Sequence, residues 1–233
     1  MKQILYIVTP LLFLLSSCQQ EDNLLLSEGN GYLSLSSIEI EAESITPIST
    51  RAVNSDLAIE ILKADGTSVV KFDAGAAAAS DKIELEAGEY KLKAYSPNYG
   101  TIWQNDEKGA PIYYKEQNFA IVAEKINYLS VQVPMINLGI KLILPDNFGE
   151  LFTSCSFTAQ LGDRSVMLQE GETAYFNLPA PTNASLQYTL SATNSDGESQ
   201  EQTHDFEGEL APGTIYEITY SLATRSLLLR VHD

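Results

Sequence analysis

Two cysteines, Cys18 and Cys155, and two histidines, His204 and His232, are the chain's stock of strongly nucleophilic or metal-seeking side chains. His204 falls in an acidic polar stretch and His232 stands next to last, so neither is framed as a general base. A Ser-His-Asp set assembles in space rather than along the chain, but no nucleophile elbow surrounds any serine. The histidines and cysteines lack the spacing of zinc ligands. Asn194-Ser195-Asp196-Gly197-Glu198 has the flavour of a calcium loop, yet lacks the twelve-residue pattern and its closing glutamate, and reads as a solvated turn. Carboxylates abound, with 31 acidic against 14 basic residues, and none stands out as a glycosidase pair. The expectation is a protein that is not an enzyme and holds no metal and no cofactor.

Binding chemistry is better represented. Tyr95, Tyr99, Trp103, Tyr113 and Tyr114 cluster in one irregular stretch with Asn98, Gln104, Asn105 and Asp106. Sugars present apolar C–H faces and hydroxyl edges, so flat rings beside amides suit a glycan. The alternative is that some of these rings cap a core. Cys155 alternates with Phe157, Ala159 and Leu161, which predicts a buried strand face and an inert thiol, since activation needs a neighbouring base and access.

The N-terminus concerns location. Lys2 supplies a positive charge, and Ile4 to Leu15 is a nearly unbroken apolar run of about a dozen residues, short of the ~20 needed to span a bilayer. It reads as a signal-peptide core. Leu15-Ser16-Ser17-Cys18 resembles the lipobox of bacterial lipoproteins, in which the thiol is diacylated and becomes the first mature residue. The alternative is an ordinary secretory signal in which Cys18 is incidental. Gln19-Gln20-Glu21-Asp22 resembles the export signal that sends Bacteroidetes lipoproteins to the outer face of the outer membrane. The expected location is therefore the outer membrane, lipid-anchored through Cys18 and facing the cell exterior. With Cys18 acylated, Cys155 has no partner for a disulfide, and stability must come from the core. A net charge of −17 argues against nucleic acid as a partner and against electrostatic attachment to anionic lipid.

Behind the signal (1–17) and a polar tether (18–31), two-residue alternation dominates, as it does in half-buried strands. Leu33 and Leu35 share one face and Ile38 and Ile40 the next, with a slip at Ser36-Ser37. Leu57, Ile59 and Ile61 alternate, and Asp65-Gly66 signals a tight turn into Val69 to Phe72. Lys82 to Ala94 reads as a hairpin about Gly88, with Ile83, Leu85, Tyr90, Leu92 and Ala94 on the core side. Phe119 and Ile121, then Leu129, Val131 and Val133, close a first half over 32–133. The second half, 134–233, begins with Ile140, Leu142 and Leu144. Asp146 to Leu151 fits a short helix capped by Asp146 or Asn147. Strands follow near Cys155 to Leu161, Val166 to Leu168, Thr173 to Leu178 and Leu186 to Ala192, then a polar excursion over Asn194 to Glu209. Leu210 to Tyr220 repeats the Leu, Gly, Tyr grammar of Leu85-Glu86-Ala87-Gly88-Glu89-Tyr90, and Leu227 to Val231 is the last expected strand. The expected fold is all-β: two tandem Greek-key, transthyretin-like β-sandwiches with few or no helices. The two halves should pack closely, since Pro134 to Gly139 is not linker-like.

Several segments together resemble a Bacteroidetes surface-lipoprotein family of unknown function, related in architecture to fimbrillins, the pilus and adhesin subunits of that phylum. They are the lipobox, Glu86-Ala87-Gly88-Glu89-Tyr90, Tyr95-Ser96-Pro97, Ala110-Pro111-Ile112-Tyr113-Tyr114 with Phe119, and Val131-Gln132-Val133 into Ile140 to Leu144. The resemblance covers most of the chain after Gly31 and implies a non-enzymatic adhesion or pilus-accessory subunit. Pilus subunits or host and dietary glycans would be its partners. Where that family often carries a cysteine near Met135 to Leu138 there is none, so no metal or redox role carries over. The resemblance also gives meaning to Arg51, in the loop after the first strand. Cleavage after such an arginine in fimbrillins removes the first strand and opens a groove for a neighbour's strand. The alternative is an exposed loop arginine. A glycan-binding lipoprotein serving polysaccharide uptake is the competing reading of the aromatic stretch.

Overall fold

The computed structural model describes residues 29–41, 56–76, 82–178, 185–206 and 208–232; Cys18 and Arg51 lie outside the described residues. Its regular elements are fifteen strands and one short helix. In the first half these are β1 (Asn30–Glu41), β2 (Ala58–Lys63), β3 (Ser68–Phe72), β4 (Ile83–Glu86), β5 (Gly88–Tyr95), β6 (Tyr114–Ile121) and β7 (Ile126–Pro134). The second half runs β8 (Leu138–Ile143), α1 (Phe148–Leu151), β9 (Phe152–Leu161), β10 (Arg164–Leu168), β11 (Thr173–Phe176), β12 (Leu186–Asn194), β13 (Ser199–Phe206), β14 (Ile215–Ser221) and β15 (Ser226–His232).

The strands form four sheets, ordered β4-β1-β7 and β3-β2-β5-β6 in the first half, β11-β8-β14-β15 and β10-β9-β12-β13 in the second. Alternation turns one face of each sheet inward, and two hydrophobic cores result. One gathers Leu33, Ile59, Ile61, Leu92, Ile121 and Val133; the other gathers Leu138, Ile140, Phe157, Phe176, Tyr216 and Ile218. The all-β, sandwich-like class expected from the sequence is the one observed.

The two halves share a plan. Adding seven to each strand number of the first half reproduces the second, with β15 appended beside β14. Both contain a parallel pair, β1 with β7 and β8 with β14, in matching registers: Tyr32 faces Ile126 as Gly139 faces Ile215. The hydrogen bonds match too. Tyr32 N donates to Lys125 O at 2.9 Å and Gly139 N to Thr214 O at 2.9 Å, while Glu124 N donates to Asn30 O and Gly213 N to Asn137 O. Glu124 and Gly213 both adopt the left-handed region, at φ 60° and 79°. Only glycine enters that region without steric cost. The slip at Ser36-Ser37 is a bulge in β1, between Ser34 and Ser37 opposite β7.

Three expectations are corrected. Lys82 to Ala94 is not a hairpin: β4 pairs with β1, whereas β5 pairs with β2 and β6. Gly88 therefore carries the chain across from one sheet to the other, and the Tyr90 hydroxyl donates to Glu86 O at 3.0 Å to fix the corner. Tyr216 makes a comparable corner, accepting from Ala211 N at 2.9 Å. The polar excursion over Asn194 to Glu209 holds β13, an edge strand paired with β12 from Leu186–Phe206 to Thr193–Ser199. Its partly buried positions are Gln202, His204 and Phe206, so no apolar alternation announces it. Cys155 is exposed rather than buried. It keeps the facing of Phe157, but β10 flanks β9 only between Phe157 and Leu161, so that side of the sheet is open beyond Phe157.

Candidate binding surface

The aromatic stretch divides in two. At its edges, Tyr95 and Tyr114 are a cross-strand pair on β5 and β6, next to the pair Lys93–Glu116. The turn after Ser96 brings Tyr99 back over them, with Tyr99 N donating to Ser96 O at 2.9 Å. The Tyr99 and Tyr114 rings lie parallel, 4.3 Å between centroids and 6° between planes. Tyr95 stands 5.9 Å from Tyr99, tilted by 50°. Tyr99 is 45% exposed. An offset stack of this kind holds a flat ring at the surface with little loss of side-chain freedom on binding.

Glu116 organises the polar neighbourhood. It accepts from the Tyr114 hydroxyl at 2.5 Å and pairs with Lys91 Nζ at 2.9 Å and Lys93 Nζ at 3.6 Å. The Tyr114 hydrogen bond, then that from Lys91, holds the Glu116 carboxyl at about 2 against an ordinary 4.5. Burial first, then Glu116, pushes the Tyr114 phenol up. Because the folded carboxyl titrates below the unfolded one, the network stabilises fully above about pH 4.5 and is lost as pH falls toward 2. Glu116→Gln is expected to cost under about 1 kcal/mol at pH 7, as for a surface pair. Urea melts should show that difference vanish by pH 2; a difference independent of pH would mean that packing alone is affected.

The middle of the stretch does something else. Residues 101–109 strap the first half onto β10 and β11 of the second. Arg164 Nε donates to Gln104 O at 3.1 Å, Nη1 to Tyr175 O at 2.5 Å, and Nη2 to Glu107 O. Its guanidinium also lies 4.5 Å from the centre of the Phe176 ring. Asp106 N donates to Ser165 O, Tyr175 N to Lys108 O, and Ser165 N to the Asn105 side chain. Asn177 Nδ2 reaches Thr101 O, and Lys108 pairs with Glu172. Trp103 is half-buried in this strap, its Nε1 sealed without a partner. Its ring packs so closely on Gly109 that a Cβ there would lie 3.2 Å from it. Tyr113 is half-buried against the first core, and burial pushes its phenol up. Trp103 and Tyr113 thus stand apart from the Tyr95–Tyr99–Tyr114 stack, and Gln104 and Asn105 face the second half.

Two residues that the sequence left silent complete the junction. Arg164 is one. Asn137, 1% exposed, is the other: its side chain accepts from Ile112 N and donates to Ala110 O, both at 2.9 Å. A lone amide in Met135-Ile136-Asn137-Leu138 is the one signal that could have marked it, since a buried amide needs partners. His204 stacks on Tyr188, 5.6 Å between ring centroids. Among the described residues no group of three or more His, Cys, Asp or Glu could hold a metal ion.

The exposed features of this two-sandwich, all-β protein are thus rings, amides and ion pairs. The chain belongs to the family of the domain of unknown function DUF4493, whose model matches residues 29–227. No curated protein matches it. Among solved structures, it is similar to a candidate cell adhesion protein from Bacteroides uniformis, at 13% identity and a TM-score of 0.48 over 89% of this chain and 98% of that one. A fimbrilin from Porphyromonas gingivalis is similar at 9% identity and a TM-score of 0.47, over 88% and 96%. So is a candidate polysaccharide-binding protein from Bacteroides thetaiotaomicron, at 12% identity and 0.43, over 87% and 98%.

Proposed function

We propose that the protein is a lipid-anchored, surface-exposed adhesion or pilus-accessory subunit of the outer membrane, without catalytic activity. The observation that carries this reading is the clamped junction. A subunit that bears load between a membrane and a partner gains from two halves that cannot swing, and Arg164, Asn137 and the strap bind them at several points. The Cys18 motif and the acidic residues behind it supply the anchor and the direction of export. Fractionation of cells carrying Cys18→Ala tests the anchor: the variant should be exported yet recovered in soluble fractions, and retention in the membrane would refute it.

A second reading, glycan binding in polysaccharide uptake, is favoured by the exposed Tyr99 ring stacked on Tyr114. Trp103 contributes no ring to that face. Tyr99→Ala is expected to weaken glycan binding by about 1–3 kcal/mol, as for a central aromatic contact, and to leave the melting temperature nearly unchanged. Glycan-array binding equal to wild type would remove this reading and leave adhesion by other contacts.

A further inference from the structure

The end of the second sandwich farthest from the strap holds a cavity of about 300 Å3. β9 runs between the two, from Phe152 at the cavity to Leu161 near the strap. Its apolar side is Leu151, Phe152 and Leu222, and its polar side includes Asp196, Gln200 and Arg225. Tyr220 also lines it, with the residue 4% exposed. Asp196, Gln200 and Arg225 are exposed at its rim, and their side chains, like the Tyr220 hydroxyl, make no hydrogen bond or ion pair among the described residues. Nor is the Tyr220 oxygen one of the polar atoms sealed from solvent, so the cavity is the space open to it.

The turn carrying Arg225 adds a second oddity. Arg225 sits at φ 51°, in the left-handed region, where glycine would be cheaper. The strained backbone is held by Gln202, whose Nε2 crosses from the facing sheet to donate to Arg225 O at 2.6 Å. Asp106 and Glu124 share that backbone conformation; what sets Arg225 apart is that it also lines the cavity.

We propose that this cavity binds a single neutral hexopyranose ring. Each sugar hydroxyl both donates and accepts, so one ring satisfies carboxylate, amide, phenol and guanidinium together, while its C–H face lies on Phe152 and the leucines. An anionic ligand would face Asp196 and Glu198, and a cationic one would face Arg225. The volume is at the small end for ligand pockets, which suits one ring rather than a peptide. The site is separate from the Tyr99 face, so its failure would leave the adhesion reading standing.

Saturation-transfer NMR and calorimetry on the full chain, with methyl glycosides of glucose, galactose and mannose, test it. Glucuronate and glucosamine are the charged controls. At least one neutral glycoside should bind, with both charged sugars at least ten-fold weaker. Arg225→Gly should lower that affinity about ten-fold or more, the loss expected for a charged hydrogen bond, while raising the melting temperature by relieving the backbone. Tyr220→Phe keeps the ring and should weaken binding by a smaller factor, and Tyr99→Ala should leave it unchanged. No binding of any neutral glycoside at millimolar concentration would overturn the proposal. So would affinity unaltered by Arg225→Gly and Tyr220→Phe, or a charged sugar binding as tightly as the neutral ones.

Discussion

Arg164→Ala is expected to lower the melting temperature by about 6–12 °C and to loosen the two halves from each other. One guanidinium serves three backbone carbonyls, two on the strap and one on β11. Its removal leaves those oxygens to find water in a crowded junction and takes the cation off the Phe176 ring. A loss of about 3 kcal/mol is expected for charge-assisted bonds of this number, and a protein of this size shifts about 2–4 °C per kcal/mol. Arg164→Lys should recover little, because an ammonium cannot reproduce the fork. Calorimetry should show the single transition broaden or split. The fluorescence of Trp103, the chain's one tryptophan, should shift to the red as the strap lifts. An unchanged melt would mean that the strap merely lies on the second half.

The second large effect belongs to Gly31. A Cβ at that position would lie 2.3 Å from Val122 O and 2.8 Å from Ile121 Cγ2. Both belong to the segment leaving β6, and a backbone oxygen cannot rotate away as a side chain can. Gly31→Ala is therefore expected to cost about 3 kcal/mol, confined to the first half. Hydrogen exchange should quicken in β1 and in its parallel partner β7 before it quickens in the second half; uniform quickening would place the damage elsewhere. The same strand is the one that cleavage after Arg51, proposed from the fimbrillin resemblance alone, would separate from β4 and β7, between which it lies. If the strand is exchanged between subunits, the cut protein stays folded and forms chains.

Periodicity made the strands legible and left their partners obscure. Ile83 and Leu85 alternate as cleanly as Tyr90, Leu92 and Ala94, but alternation reports only that one face is buried. Which sheet each arm joins is decided by β1 and β2, far away in sequence. β13 was invisible for the opposite reason: of its inward positions Gln202 and His204 are polar and Phe206 alone is apolar, because an edge strand over the rim of a sandwich needs no continuous apolar face. The duplicated plan was hidden because the recurrent Gly-to-Tyr corner precedes β5 in one half and β14 in the other, positions that do not correspond. The aromatic stretch was legible as a special region, and composition alone could not divide it. Tyr99 and Trp103 are four positions apart, yet one returns to its own sheet through a turn and the other follows the chain to a different half. Arg164 gave no signal, since its partners are backbone carbonyls and any sequence supplies those.

Protease treatment of intact cells tests the surface assignment most directly. A lipid-anchored protein on the outer face should be digested by added proteinase K while a periplasmic control stays whole, and Cys18→Ala should be missing from the membrane fraction. Wild-type protein that remains fully protected until the outer membrane is broken would place it inside the cell envelope, and the adhesion reading would fall with it.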